Sequence, residues 1–274
     1  MNNLLVISDT HIGCQHGLCH PDGYRMDDGG RYMPSPLQLK LWSIWRDMLD
    51  VWLPWATRKQ SFDLLVNGDA LDGVHHGSVT QWTHNLTTQA DAAREILAPL
   101  CQRAKVVYWG RGTEAHVGQS AQDEERLARE LGATPNAAGQ YARPYVRTRV
   151  GPSLIDAHHH IGVSGAMASQ FVAPGKEMEQ CFVDCARWGL ETPDVFVRSH
   201  RHRHTEQRIE GHKGNIIMVV TPGWQLRTPF TYRLLGGRAT TPEFGAVLIR
   251  HADGETFTRS FVKSIVVPNP EVGE

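Results

Sequence analysis

Five short apolar runs recur along the chain with one grammar. NLLVIS (3–8), FDLLVNGD (62–69), KVVYWGRG (105–112), SLIDAHHH (153–160) and DVFVRSH (194–200) each break off abruptly into Asp, His or Gly, and predict buried strands. Between them, Leu37, Leu41, Ile44, Trp45, Met48 and Trp52 share one helical face, and Ala93, Ile96, Leu97 and Leu100 share another. AQDEERLAREL (121–131) predicts a third helix, capped by Ser120 and ended by Gly132, and KEMEQCFVDCARWGL (176–190) a fourth. Strands alternating with helices predict an α/β sheet.

Beyond residue 204 the pattern turns to β. TEQRIE, NIIMVVTPG, GAVLIR and TFTRSFVK, separated by the turn signals GHKG and HADG, predict closing hairpins. Residues 13–36 are rich in Gly, Pro, Asp and His and have no period, which predicts a long loop leaving the first strand, functional or disordered. Residues 266–274 read as a fraying tail. With no repeat and no interdomain linker, 1–274 is expected to form a single domain.

Composition narrows the function classes. Hydrophobic residues at 41%, charged residues at 21% and a net charge of −1 give no charge-based reason for avid, nonspecific binding to nucleic acid, though a local basic groove stays open. Five cysteines without a Cys-x-x-Cys spacing indicate a reducing, cytoplasmic setting. The N-terminus lacks a basic segment leading into an apolar core, and no stretch approaches the roughly 20 apolar residues of a membrane span. Neither export nor a membrane partner is expected, and nothing fixes an oligomeric state. The tryptophans at 42, 45, 52 and 55 read as core or a docking face, because no basic residues interleave them into a base-stacking stripe.

The fifteen histidines are the unusual count, and they cluster with carboxylates where the strands end. In an open α/β sheet the carboxyl ends of the strands face one crevice, so Asp9, His11, Asp69, Asp72, Glu114, His116, His158, His159, His200 and His202 should converge. A set of carboxylates and imidazoles without cysteine suits Mn, with Fe, Zn or Ni as alternatives, and argues against a thiolate zinc site. It exceeds what one ion needs; two ions bridged by a shared carboxylate would use it.

In order and spacing these residues resemble the calcineurin-like metallophosphoesterases. The family's Asp-x-His, Gly-Asp-x-x-Asp, Gly-Asn-His, lone His and Gly-His-x-His stand here as DTH (9–11), GDALDG (68–73), GTEAH (112–116), HHH (158–160) and SHRH (199–202). The resemblance implies a four-layer α/β/β/α sandwich with two mixed sheets, and two divalent metal ions. It implies that Asp9, His11 and His202 hold one ion, that Asp69 bridges, and that His200 with His158 or His159 holds the other. The alternation of an extended chain would put both members of Asp-x-His, and of His-x-His, on one side. Asp72 either caps its turn or braces a ligand, and His204 is expected at the surface or facing substrate.

The implied reaction is phosphoester hydrolysis, by in-line attack of a metal-bridging water on phosphorus. GTEAH departs from the family by lacking its Asn ligand and the His directly after it. Glu114, a hard anionic oxygen donor, is expected to replace the Asn, and His116 to serve the leaving group. His75 and Arg111 are expected to contact substrate phosphate. The added carboxylate charge would repel a dianionic monoester more than a diester, which favours a phosphodiesterase. A DNA or RNA nuclease, with 13–36 as a clamp, is the alternative within this chemistry. A scaffold that has lost turnover is the alternative outside it.

Overall fold

The computed structural model describes residues 2–75, 77–118, 120–162, 170–211, 214–234 and 241–265. β1 (Asn3–Ile7), β4 (Asp63–Asn67), β5 (Val107–Gly110) and β6 (Ala142–Arg143) run parallel in a six-stranded sheet, ordered β13-β12-β1-β4-β5-β6. Its antiparallel edge is β12 (Glu243–Ala252), which pairs with β1, and β13 (Glu255–Ser264). The second sheet is ordered β10-β11-β9-β8-β7: β8 (Ser153–Ala157), β9 (Val195–Arg198) and β11 (Gly214–Val220) are parallel, flanked by antiparallel β7 (Val146–Val150) and β10 (Thr205–Gly211).

Strand alternation explains the layers. Leu4, Val6, Leu65, Val247 and Ile249 of the first sheet meet Val146, Ile155, Val195, Val197, Ile217 and Val219 of the second in one buried cluster between the sheets. Their neighbours Leu5, Ile7, Leu64, Val66 and Leu248 face outward. There they pack under α1 (Pro36–Asp47), α3 (Leu86–Cys101) and α5 (Gln122–Glu130) through Leu41, Trp45, Ile96, Leu97 and Leu127. On the far face of the second sheet, Phe196 and Met218 receive Met178 of α6 (Val172–Trp188). Both faces of the central strands are therefore buried, which is why they read as unbroken apolar runs, and the layers stack α/β/β/α.

Several local expectations shift. The stretch after β1 is not an unstructured loop: Cys14, Leu18 and Cys19 are buried, and a small hairpin of β2 (Tyr24–Arg25) and β3 (Arg31–Tyr32) lays Tyr24 and Tyr32 parallel to Trp82. It ends at Ser35, which caps α1 in a capping box with Gln38, and Gln38 Nε2 donates to the carbonyls of Cys14 and Gly17. A π-helical turn (Met48–Trp52) carries α1 into α2 (Leu53–Ala56). Trp45 is fully buried against Trp224, whereas Trp55 lies exposed under Arg259.

Ser120 does not cap α5. The N-cap is Ala121, in a left-handed conformation with no side-chain bond. α6 starts four residues earlier than its apolar period, because Pro174 sits in the first turn, where no intrahelical N–H acceptor is needed. β7 and α7 (Pro229–Leu234) carry no period that announces them. The HADG signal does form its hairpin, with Asp253 and Gly254 both left-handed between β12 and β13. Residues 212–213 of GHKG, His76 and the tail 266–274 lie outside the described residues. No described helix is long and apolar enough to cross a membrane.

Candidate metal centre

β1, β4 and β5 of one sheet and β8 and β9 of the other all end at the same edge of the sandwich, and the residues directly after them form the site. Three groups of side chains converge there: Asp9, His11 and His202; Asp69, His159 and His200; and His11, Asp69 and His116. Asp69 and His11 each belong to two of them. Within the first group His202 Nε2 lies 3.2 Å from Asp9 Oδ1 and 3.0 Å from His11 Nε2. Within the second, His159 Nε2 lies 2.9 Å from Asp69 Oδ2.

The backbone that presents these groups is not extended. Nine described non-glycine residues have positive φ, and five of them are Asp9, His11, Asp69, His200 and His202. The pairs in DTH and HRH thus converge through left-handed turns, not through strand alternation. Each left-handed residue costs about 1–3 kcal/mol, strain that persists only where the surroundings impose it. Glycines permit the crowding. A Cβ on Gly68, whose φ is +83°, would stand 2.6 Å from His159 Nδ1, and one on Gly112 would stand 2.1 Å from Asp69 Oδ1.

Beneath the site a ladder of small polar groups joins the sheets. Asn67 Nδ2 donates to Ser199 Oγ at 2.7 Å, and the Ser199 and Ser8 hydroxyls both meet Thr221 Oγ1. Ser199 thus finds a partner for its hydroxyl. Asp72 braces His11, whose Nδ1 lies 3.1 Å from Asp72 Oδ1, and Asp72 in turn accepts from Gln81 and Gln225. Glu124, fully buried, accepts from the Gly112 amide at 2.7 Å behind Asp69. Sequence reading missed Asn67, Gln81, Gln225 and Glu124. Only the isolated Asn67, closing an apolar run, offered a signal.

Electrostatics mark the centre as short of positive charge. Burial would raise the Asp9 and Asp69 carboxyls, but nearby imidazoles, His159 foremost, outweigh it and hold both well below the usual range. His159 shows the converse: burial alone would lower it, yet the charges of Asp69 and Asp9 lift it to about 10. Burial, with the charge of His11 on one and His159 on the other, pushes His116 and His200 down to about 4. Burial and the charge of Asp69 lift Glu124 to about 7. Asp9 Oδ1 and His159 Nε2 are buried without a hydrogen-bond partner. The 2.9 Å approach of His159 to Asp69 lacks hydrogen-bond alignment, so Asp9 Oδ1 and, once its proton leaves, His159 Nε2 can each offer a lone pair to a cation.

The remaining expected residues separate. His159, not His158, enters the groups. His158 is turned outward, its Nδ1 3.2 Å from the His160 carbonyl. Glu114 is exposed on α4 (Glu114–Val117) and joins none of the groups, because the helical turn that starts at Glu114 carries it away from Asp69. Thr113 is nearer, its amide 2.8 Å and its hydroxyl 3.1 Å from the Asp69 carboxylate. Arg111 donates to the Ala142 carbonyl, and His75 stands 3.5 Å from Asp72 in a fourth group with His116. His204 Nδ1 lies 3.0 Å from the Val220 carbonyl.

No protein-family model matches the chain, and no curated protein matches it. Among solved structures it is similar to Vacuolar Protein Sorting 29 from Cryptosporidium parvum, at 15% identity and a TM-score of 0.37 over 96% of this chain and 98% of that one. It is also similar to a conserved uncharacterized protein from Streptococcus pneumoniae, described as a predicted phosphoesterase, at 11% identity and a TM-score of 0.35 over 96% and 98%. A Thermotoga maritima protein solved by solution NMR matches at 11% identity and a TM-score of 0.37 over 97% and 100%. The fold of this chain is read from its strand order and layers alone.

Proposed function

We propose that the protein is a phosphoester hydrolase of the calcineurin-like kind, dependent on two divalent metal ions and acting on phosphodiesters. The observation that carries this reading is the adjacency of the Asp9–His11–His202 and Asp69–His159–His200 groups, with Asp9 Oδ1 and His159 Nε2 buried between them without a hydrogen-bond partner. Asp9, His11 and His202 would hold one ion and His159 and His200 the other, with Asp69 common to both. Two cations bound there would neutralise the nonbridging oxygens of a phosphate and acidify water near neutral pH. Mn fits the mixed carboxylate and imidazole donors, and Fe, Zn and Ni share that preference.

The chain's own part is positional. Asp72 fixes the ring of His11, the Asn67 carbonyl fixes that of His159 at 2.6 Å, and the Asn67–Ser199–Thr221 ladder holds the two sheets in register under the ligands. The charge argument through Glu114 does not support diesters, since that side chain is exposed and apart. Arg111 and Arg201 donate to backbone carbonyls, which leaves their charges in place, so the choice between monoester and diester rests on the substrate panel.

The test is a panel of bis-p-nitrophenyl phosphate, p-nitrophenyl phosphate and supercoiled plasmid, offered to chelator-treated protein reloaded with Mn. Metal-dependent cleavage of the small diester, abolished in Asp69→Asn, is expected. Faster cleavage of plasmid would make the protein a nuclease. Two bound ions with no turnover of any ester would leave a metal-holding scaffold and end the hydrolase reading.

A further inference from the structure

The GTEAH turn lacks the family's amide ligand, and the structure shows which of its side chains faces the centre. Glu114 is exposed and in no ligand group, and Thr113 spends its hydroxyl on the Asp69 carboxylate. His116 alone reaches both His11 and Asp69. Its Nδ1 lies 2.7 Å from the backbone carbonyl of Asp72. A carbonyl only accepts, so Nδ1 carries the hydrogen, and in the neutral ring Nε2 holds a bare lone pair.

Two other histidines of the centre are tethered in the same way. His11 Nδ1 is held by the Asp72 carboxylate, and His159 Nδ1 by the Asn67 carbonyl. A ligating imidazole characteristically gives its other N–H to a carboxylate or backbone carbonyl, which sets the tautomer and aims the lone pair. The backbone of His116 is also built into place. Gly73 packs so closely that a Cβ there would stand 2.0 Å from the His116 carbonyl oxygen and 3.2 Å from its Cα. The ring meets His11 edge to face, with centroids 4.4 Å apart.

From these contacts we infer that His116 is a metal ligand, its Nε2 joining an ion together with His11 and Asp69, so that GTEAH supplies an imidazole donor although it lacks the family's amide. The inference rests on the metal-centre reading above. It reassigns His116 from the leaving group to the metal, and it accounts for the two extra residues that separate Gly112 from the histidine relative to Gly-Asn-His: the short α4 turn brings His116 to His11 and Asp69.

The test reads metal binding, not turnover. Chelator-treated wild type, His116→Ala and His116→Gln are titrated with Co(II), following heat and the visible d–d band, with far-UV circular dichroism to confirm folding. Wild type is expected to take up two ions. His116→Ala should weaken one of them by at least about tenfold and alter the band, and His116→Gln, which restores an amide donor, should recover part of the affinity. A Co(II) band and affinities in His116→Ala identical to wild type would overturn the inference while leaving the metal centre standing. So would a change that appears in His75→Ala instead, since the ring would then serve the neighbouring group with Asp72. Absence of any bound ion in wild type would overturn both readings. If His116→Ala fails to fold, His116→Gln decides alone: two ions bound with an unaltered band count against ligation.

Discussion

Replacing Gly112 by alanine is the sharpest perturbation the site offers, because the turn and the bridging carboxylate occupy the same space. The new Cβ would stand 2.1 Å from Asp69 Oδ1, 2.5 Å from Asp69 N and 3.0 Å from Asp69 Cγ. The contact with the Asp69 amide is about 0.9 Å short of ordinary van der Waals contact at 3.4 Å, and that neighbour is backbone that cannot swing aside. Nor is the turn free to retreat. The Gly112 amide is bonded to buried Glu124, the Thr113 amide to Asp69, and Gly110 just before it is paired with Asn67 in the sheet. The displacement must therefore fall on Asp69. A forced shift of this kind costs roughly 1–3 kcal/mol, which for a chain of this size lowers the melting temperature by roughly 2–12 °C. A misplacement near 1 Å at a reacting centre costs about a hundredfold in rate. Mn titration by calorimetry, a thermal melt and diester hydrolysis at saturating metal measure the three effects. Wild-type melting together with wild-type Mn affinity in Gly112→Ala would refute the claim that the turn and the carboxylate are mutually locked.

Two further outcomes concern pH. In the metal-free protein His159 is raised to about 10 by Asp69 and Asp9 against the opposing effect of burial, so its stabilisation is complete below about pH 6.5 and fades as pH rises toward 10. Metal must displace that proton, so Mn affinity should climb over the same range and calorimetry in buffers of different ionisation heat should register proton release; pH-independent binding would contradict it. Glu124 is raised to about 7 by burial and by Asp69, so metal-free wild type should lose its contribution between about pH 4.5 and 7. Glu124→Gln can still accept from the Gly112 amide and does not ionise, so its stability relative to wild type should improve across that window in paired thermal melts. A constant difference would show that Glu124 does not titrate there.

How much of this could be read in advance follows from what each feature depends on. Strands buried on both faces must be apolar at consecutive positions, so β1, β4, β5, β8 and β9 stood out, and the ligand types that end them pointed to one edge. β7 did not stand out, because its centre is Arg147, Thr148 and Arg149, and only Val146 and Val150 at its ends join the intersheet core. Glu124 sits in QDEERLARE, where a buried carboxylate and a solvated one are spelled alike; only the amide of Gly112, twelve positions away, makes the difference. The order of residues 13–35 likewise comes from Gln38 and Trp82, outside the segment that looked featureless.

The site itself divides along the same line. Residue type is local and was legible, while geometry is settled by partners distant in sequence. Extended alternation pairs Asp9 with His11 by periodicity, but the chain reaches that pairing through left-handed turns that each cost energy and are imposed by neighbouring loops. Within HHH, the choice of His159 is made by Asn67, ninety-two residues away, whose carbonyl takes the Nδ1 hydrogen and turns Nε2 toward Asp69. The same device recurs at His11 through the Asp72 carboxylate and at His116 through the Asp72 carbonyl. A histidine in a motif specifies two possible donor atoms, and the residue that selects between them lies elsewhere in the chain. For that reason Glu114, the stronger donor on chemical grounds, yields to His116, whose tether aims a lone pair at the centre.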